Sequence, residues 1–232
     1  MTRMDPLERD QAKKFEIVFQ VTEAVMGFVP NSMLVMARDP DLLAAFSQLA
    51  AIILIRPGQL DPALKALVMY VASRSTGCQY CAAHTGNLAA LYGISERKIE
   101  QALQFETSPD FSDAERTALR LAQASAQTPN AVTDSHFQEL RRHFSENQVL
   151  EMVSTISLMA FLNRWNDTLA TSLEPAPRAF AEQHLTGTGW TLGKHSGGSG
   201  ANPSRQGKLP LKTRVFLWFL RTWGPMAERN GH

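Results

Sequence analysis

Apolar residues recur at helical spacing along most of the first 185 positions of the chain. From residue 6 to residue 27 they fall three or four positions apart, which places them on one face of a helix. A second helix is predicted from Asp39-Pro40, and a third from Asp61-Pro62, where the Asp can cap the helix and the Pro suits its first turn. No segment alternates apolar and polar residues as a half-buried strand does. The pattern predicts an all-α bundle.

Further helices are predicted in the second half of this region. One begins at the cysteines near position 78 and ends at Gly93, since a glycine commonly follows the last turn of a helix. Others open at Ser112, Thr133 and Ser145, and Ser112 has a Glu three residues later, the spacing of a capping box. Residues 61–68 can also be laid over residues 146–153 without a gap, which suggests that the bundle has two related halves.

The composition changes after residue 185. Residues 186–232 are rich in Gly and Ser and carry seven Lys or Arg against one Glu. They include a basic, aromatic and apolar segment at 211–223 that is too short to cross a bilayer. We therefore predict a helical domain at 1–185 and a basic extension at 186–232 that ends in a short apolar-aromatic helix. That helix could lie on an anionic membrane surface, dock on a neighbouring subunit or pack as a terminal helix.

Charge and cysteine content narrow the function further. The whole chain has a net charge of +1, and residues 1–185 hold 16 basic against 21 acidic residues, which does not favour a nucleic-acid partner. The first residues lack the apolar run of a secretory signal, so we expect a cytoplasmic protein. In a reducing compartment, two cysteines at CxxC spacing indicate redox chemistry or metal binding more than a structural disulfide.

The segment Cys78-Gln79-Tyr80-Cys81-Ala82-Ala83-His84 is the candidate reactive centre. Its two cysteines share one face at a helix start, where the positive end of the helix dipole stabilises a thiolate and favours Cys78, the residue nearer that end. His84 lies one turn beyond Cys81 on the same face and could serve as its base. A thiolate of this kind can attack a peroxide, become a sulfenic acid and condense with the second cysteine to a disulfide.

Two other interpretations of the cysteines stay open. A structural zinc site could use Cys78, Cys81 and His84, but it needs a fourth ligand that the sequence does not indicate. The cysteines could also be small buried residues without chemistry. The chain has no glycine-rich nucleotide motif and no HExxH motif, so we expect neither a cofactor nor a catalytic metal.

Several motifs resemble the carboxymuconolactone decarboxylase / alkylhydroperoxidase D-like superfamily. They are the segment Asp61-Pro62-Ala63-Leu64-Lys65-Ala66-Leu67-Val68, the CxxC with its following His, residues 111–116, and residues 158–166 of the late helix. The resemblance covers roughly residues 20–175. It implies an all-α fold in a homo-oligomer and, for the branch with two cysteines, the reduction of organic peroxides followed by recharging through a dithiol such as a lipoyl-bearing protein.

The resemblance also implies roles for single residues. It assigns Cys81 as the thiol that attacks the peroxide and Cys78 as its resolving partner. The family His often falls four residues after the second cysteine, whereas His84 falls three after it, and Tyr80 stands where the founding enzymes have a His. The family pattern has a Glu twelve residues before the first cysteine, where this chain has Ala66. Glu151 holds the matching position in the second repeat, and we consider the hypothesis that it approaches His84 instead.

The sequence therefore predicts a thiol-dependent, peroxidase-like enzyme. It would use Cys78, Cys81 and His84 to reduce hydroperoxides or to exchange disulfides, with Cys81 as the attacking thiol because His84 also faces it, and with Cys78 as the resolving thiol. An external dithiol of the lipoyl or thioredoxin type would restore the enzyme. The alternative is a non-catalytic redox sensor or binding protein on the same fold.

Overall fold

The computed structural model describes residues 2–197, which fold into helices and connecting loops with no strand among them. The all-α prediction is confirmed. Within residues 2–197 no helix combines the length and the apolar character that crossing a membrane requires. The helix predicted at 211–223 lies outside the described residues. The α-helices are α1 (Glu16–Met26), α2 (Asn31–Met36), α3 (Pro40–Ala50), α4 (Pro62–Ser75), α5 (Gln79–Leu91), α6 (Glu96–Glu100), α7 (Asp113–Ser125), α8 (Asp134–Leu140), α9 (Glu146–Leu169) and α10 (Pro175–His184).

The chain divides into two compact units, and the smaller one spans Met4–Pro57. The helix predicted from residue 6 to 27 is in fact a 3-10 helix, Arg9–Phe15, that leads directly into α1. Arg9 links the 3-10 helix to α1, because its guanidinium forms ion pairs with Glu16 and Glu23 on α1. Helix α3 continues into a π-helical segment, Ala51–Ile55. The sequence did not predict α2, whose six residues are all buried.

The larger unit comprises Gly58–Gly197 together with Thr2 and Arg3. Helix α4 is its central element and packs against α5, α7 and α9, while α5 also packs against α10. Every residue of α4 from Leu64 to Ser73 is buried. Asp61 caps this helix as predicted, since its side chain accepts the backbone N–H groups of Ala63 and Leu64 at 2.9 and 3.0 Å. The central position of α4 places the start of α5 deep in the unit.

The later helices begin where the capping signals indicated. Ser112 and Ser145 each form a capping box with the residue three positions on, at the starts of α7 and α9. Helix α10 was not predicted, although a Pro stands at its first position. Beyond it, Thr186–Thr188 and Gly193–His195 form 3-10 turns that belong to this same unit. Part of the segment assigned to the extension therefore packs with the larger unit.

Candidate active site

The two cysteines lie at the first turn of α5. Cys78 is the N-cap residue, and its Sγ accepts the backbone N–H of Cys81 at 3.3 Å. Both side chains are free thiols, and the two residues are 1% and 3% exposed. The predicted helix start at the cysteines is confirmed, and the pair is shielded from solvent.

The surroundings distinguish the two thiols. Burial, together with the hydrogen bond and the charge of the neighbouring Cys78, raises the pKa of the Cys81 thiol well above its usual range. The Asn166 amide, whose Nδ2 lies 3.6 Å from the Cys81 Sγ, acts in the opposite direction on that pKa. Cys78 has the more favourable place for a thiolate because it caps the positive end of the α5 dipole.

A buried carboxylate joins the two polar rings of α5. Oε1 of Glu174 accepts the Tyr80 hydroxyl at 2.8 Å, and Oε2 lies 2.6 Å from Nε2 of His84. All three residues are less than 10% exposed. Because a carboxylate oxygen accepts hydrogen bonds, the Nε2–H of His84 donates to Glu174. Glu174 thereby fixes both the orientation and the tautomer of His84.

Close packing of α10 on α5 brings Glu174 to this position, since Glu174 is the N-cap residue of α10. The two helices approach at Gly86. A Cβ atom there would lie 3.1 Å from Cε1 of Phe180, 3.3 Å from Cε2 of Tyr70 and 3.4 Å from Cδ1 of Leu185. Only a glycine fits without displacement of these neighbours. The missing side chain at Gly86 therefore helps to place Glu174 beside His84.

Tyr80 is enclosed by two imidazole rings. Its ring stacks on His84 with 4.3 Å between centroids and lies 5.8 Å from the ring of His195. His195 is buried, and its Nδ1 donates to the Thr171 carbonyl at 2.8 Å. Burial lowers the pKa of His195 below its ordinary value. The second ring against Tyr80 is consequently a neutral one near pH 7.

The segment after α10 also contacts the first turn of α5. The indole Nε1–H of Trp190 donates to the backbone carbonyl of Gln79 at 2.8 Å. Trp190 is buried, like His195 five residues later. Residues 186–197 therefore cover the reactive segment at its start.

The structure places the three predicted site residues on one helix, with Cys78 and Cys81 in contact and His84 one turn further along α5. It gives Glu151 a different place from the hypothesised one. The Glu151 carboxylate contacts the Lys65 ammonium and accepts the backbone N–H groups of Gln59 and Leu60 at 3.0 and 3.1 Å. Among the described residues, the carboxylate that contacts the His84 ring is that of Glu174.

Sequence reasoning missed Glu174. A signal for the helix was present, because Glu174 precedes Pro175 and a run of helix-forming residues. That signal could have predicted α10, but not that its first residue meets His84, which lies ninety positions earlier.

The described residues offer no metal centre, since no three His, Cys, Asp or Glu side chains among residues 2–197 lie together as ligands. The chemistry that the site can supply is that of two thiols, one imidazole and one carboxylate.

Comparison with known proteins connects this arrangement to a family. The model of the carboxymuconolactone decarboxylase family matches residues 40–124. The uncharacterized protein YnjA of Escherichia coli K12 is 31% identical over 110 residues, a match that covers 47% of this chain and 60% of YnjA. The chain thus spans less than two thirds of the length of this curated relative.

Solved structures extend the match. The debrominase Bmp8 is 35% identical, with a TM-score of 0.73 over 79% of this chain and 98% of Bmp8. A C82A variant of Bmp8, solved in complex with 2,3,4-tribromopyrrole, aligns equally well. An alkylhydroperoxidase AhpD core protein of Ralstonia eutropha JMP134 shares the fold at 20% identity and a TM-score of 0.62 over 75% of this chain and 90% of its own.

The helical fold, the matched segment that contains the CxxC and the near-complete alignment with Bmp8 agree with one another. The structural relatives include peroxidase-related proteins, and Bmp8 carries a different activity on the same fold. The chain belongs to the carboxymuconolactone decarboxylase family.

Proposed function

We propose that this protein is a dithiol oxidoreductase in which Cys78 and Cys81 give two electrons to an electrophilic substrate, and that an organic hydroperoxide is the first candidate. The observation that carries the proposal is the pair of buried free cysteines in the first turn of α5, where the Cys78 Sγ accepts the backbone N–H of Cys81. A histidine one turn later is oriented by a carboxylate. A helix N-terminus favours the thiolate, and a second thiol in contact with the first can resolve the product.

The reaction with a hydroperoxide has two steps. The Cys78 thiolate attacks the terminal oxygen, the O–O bond breaks, and the alcohol leaves after taking up a proton, so that Cys78 becomes a sulfenic acid. Cys81 then attacks the Cys78 sulfur, the S–S bond forms, and the hydroxyl leaves as water. In sum, one hydroperoxide and two thiols give one alcohol, one water and one disulfide. An external dithiol would return the disulfide to two thiols.

The second step needs a base, because the pKa of Cys81 is raised and its thiol is protonated near pH 7. His84 lies one turn from Cys81 on the same face of α5, and its proton on Nε2 is held by Glu174. His84 can therefore accept the Cys81 proton, and the Glu174 carboxylate stabilises the imidazolium that forms. In this scheme Cys78 attacks and Cys81 resolves, which reverses the order that the family resemblance implies.

A second candidate substrate is a halogenated aromatic heterocycle. It is favoured by the 35% identity with the debrominase Bmp8 over 98% of that chain. The same dithiol can perform this reaction: the thiolate attacks the halogen, the ring carbon takes a proton, and the second thiol displaces halide from sulfur as the disulfide forms. One aryl bromide and two thiols thus give one arene, one disulfide and hydrogen bromide.

The test exposes the reduced protein to one equivalent of cumene hydroperoxide or of a polybrominated pyrrole. We expect loss of both thiols, formation of a disulfide, and release of cumyl alcohol or of bromide. Addition of a small dithiol should then give repeated turnover. A protein that oxidises once but does not cycle would be the redox sensor, and thiols that survive both electrophiles would overturn the proposal.

Single-cysteine variants decide the order of the two thiols. In Cys81→Ser we expect one equivalent of hydroperoxide to leave a sulfenic acid on Cys78 that dimedone traps, while Cys78→Ser reacts at least about 100-fold more slowly, because its remaining thiol is protonated. The opposite pattern would establish the order implied by the family. Either result leaves the dithiol mechanism testable in the wild type.

A further inference from the structure

Asn166 of α9 places its side-chain amide beside Cys81. Its Nδ2 donates to the Leu162 carbonyl at 3.0 Å and lies 3.6 Å from the Cys81 Sγ. A carbonyl oxygen can only accept, so the contact with Leu162 fixes which end of the amide is the nitrogen. The Oδ1 atom is therefore held in place. It is buried and has no hydrogen-bond partner among residues 2–197.

Asn163 lies one turn earlier on the same helix. The residue is 3% exposed, and neither its Oδ1 nor its Nδ2 has a hydrogen-bond partner in the described part of the chain. Residues three apart on a helix are neighbours on its surface, so this amide adjoins that of Asn166. Two neighbouring buried amides thus leave two oxygens and one NH₂ group without partners among residues 2–197, and one of these amides lies beside the Cys81 sulfur.

Buried amides are almost always hydrogen-bonded in folded proteins, and unpaired ones that cluster at a reactive centre indicate that a ligand completes them. Core packing does not need Asn at either position, because an apolar side chain of similar size would leave no polar atom unpaired. The fixed Oδ1 of Asn166 is an acceptor, so the group that it would hold on a ligand is a donor.

We propose that Asn163 and Asn166 form an acceptor subsite that selects electrophiles with an O–H or N–H donor on or next to the reacting atom. This inference rests on the proposed dithiol function and names its substrate class more closely. A hydroperoxide carries such an O–H, and a pyrrole halogenated beside its nitrogen carries such an N–H. Their alkylated counterparts lack the donor and would leave the Asn166 oxygen unpaired.

The test measures binding without reaction, in the full-length protein with both Cys78→Ser and Cys81→Ser, which keeps no thiol at the site. Two probe pairs differ only in the donor: 2,3,4-tribromopyrrole against its N-methyl derivative, and cumyl alcohol against its methyl ether. We expect the donor-bearing member of at least one pair to bind about 10-fold or more tightly by calorimetry, since a site built to hydrogen-bond a donor rejects the analogue that lacks it. The pair that shows the preference identifies the substrate class.

Asn163→Leu and Asn166→Leu should each reduce the binding preference for the donor-bearing probe over its alkylated counterpart. Asn163→Leu is the safer variant for folding, because it removes no hydrogen bond within the described residues. Asn147→Leu, an exposed Asn on the same helix, is the matched control and should leave the preference intact. Equal binding within both pairs in the parent protein would overturn the subsite, and so would a preference that survives both variants.

The binding test stays separate from the test of function. A wild type that reduces neither electrophile, although the donor preference depends on Asn163 and Asn166, would reject the dithiol mechanism and keep the subsite. A wild type that turns over with no donor preference would keep the mechanism and reject the subsite.

Discussion

Nε2 of His84 lies 2.6 Å from Oε2 of Glu174, in a buried contact between residues ninety positions apart. The family resemblance places a relay carboxylate twelve residues before the first cysteine, and this chain has Ala66 there. Glu174 offers a carboxylate to the same histidine from the first residue of α10. A carboxylate that contacts this histidine thus comes from a different part of the chain.

The first prediction concerns this carboxylate. Glu174→Gln keeps an acceptor for Tyr80 but removes the negative charge that holds the His84 proton on Nε2. We expect dithiol turnover to fall roughly 10- to 100-fold, near the lower end of what acid–base catalysis contributes. The loss should lie in the resolving step, so sulfenic acid on Cys78 should accumulate and be trapped by dimedone in rapid-quench experiments.

Two further variants control this result. Tyr80→Phe removes the other hydrogen bond to Glu174 and leaves the His84 contact, so it should cost less than Glu174→Gln and should not trap the sulfenic acid. Glu174→Asp should recover part of the rate. If dimedone traps equal amounts of the Cys78 sulfenic acid in Tyr80→Phe and in Glu174→Gln, the Glu174 carboxylate acts through packing alone.

The second prediction is that Glu151 serves stability and not catalysis. Its carboxylate forms an ion pair with the ammonium of Lys65, and Lys65 is 8% exposed. The same carboxylate accepts two backbone N–H groups from the loop before α4. Glu151→Ala should lower the free energy of unfolding by about 3 kcal/mol, because it leaves a buried ammonium without its partner. Urea unfolding measures this change, and thiol oxidation of the folded variant should be unaltered.

A second substitution separates charge from packing at this position. Lys65→Met in the Glu151→Ala background removes the uncompensated ammonium and should recover part of the lost stability. If the double variant is less stable than Glu151→Ala by the full effect of Lys65→Met alone, the two residues are not coupled.

The sequence was sufficient for the features that local chemistry decides. Asp61 and Ser112 cap helices where their spacing indicated, and the cysteines begin α5 as expected. Features that depend on tertiary packing were not accessible. A Glu before a Pro can indicate a helix start, but which histidine it meets depends on how α10 packs on α5.

The same limit explains why Asn163 and Asn166 were not identified as a polar subsite. In the sequence they are two polar positions of a long apolar helix, and Asn166 ends the family-like segment at 158–166. Only the folded chain shows that Asn166 meets Cys81 and that both amides are buried.

The third prediction concerns the close approach of α5 and α10. Gly86→Val places a branched side chain against Phe180 and Tyr70, whose atoms would lie 3.1 and 3.3 Å from its Cβ. We expect the free energy of unfolding to fall by about 2 kcal/mol through overpacking, as measured by urea unfolding. Because α10 must shift, Glu174 should move from His84 and turnover should fall as well.

Gly187→Val is the matched control, since a Cβ at Gly187 meets no atom within 4 Å. It should change stability by no more than about 0.5 kcal/mol. A Gly86→Val protein with unchanged stability and turnover would show that α10 is not held by this contact.

The last prediction is a pH dependence of stability from His195. Burial holds the pKa of this imidazole below its ordinary value of 6.5, so the unfolded chain takes up a proton that the folded chain does not. Stability should therefore fall as the pH drops from about 6.5 toward the folded-state pKa, by at most about 1.4 kcal/mol per pH unit for one proton. Equilibrium unfolding between pH 7.5 and pH 5 measures this slope.

Two variants control the result. His195→Asn, whose amide can still donate to the Thr171 carbonyl, should flatten the pH dependence of stability, whereas His143→Asn at an exposed position should not. A slope equal in wild type and His195→Asn would mean that the acid sensitivity arises elsewhere in the fold.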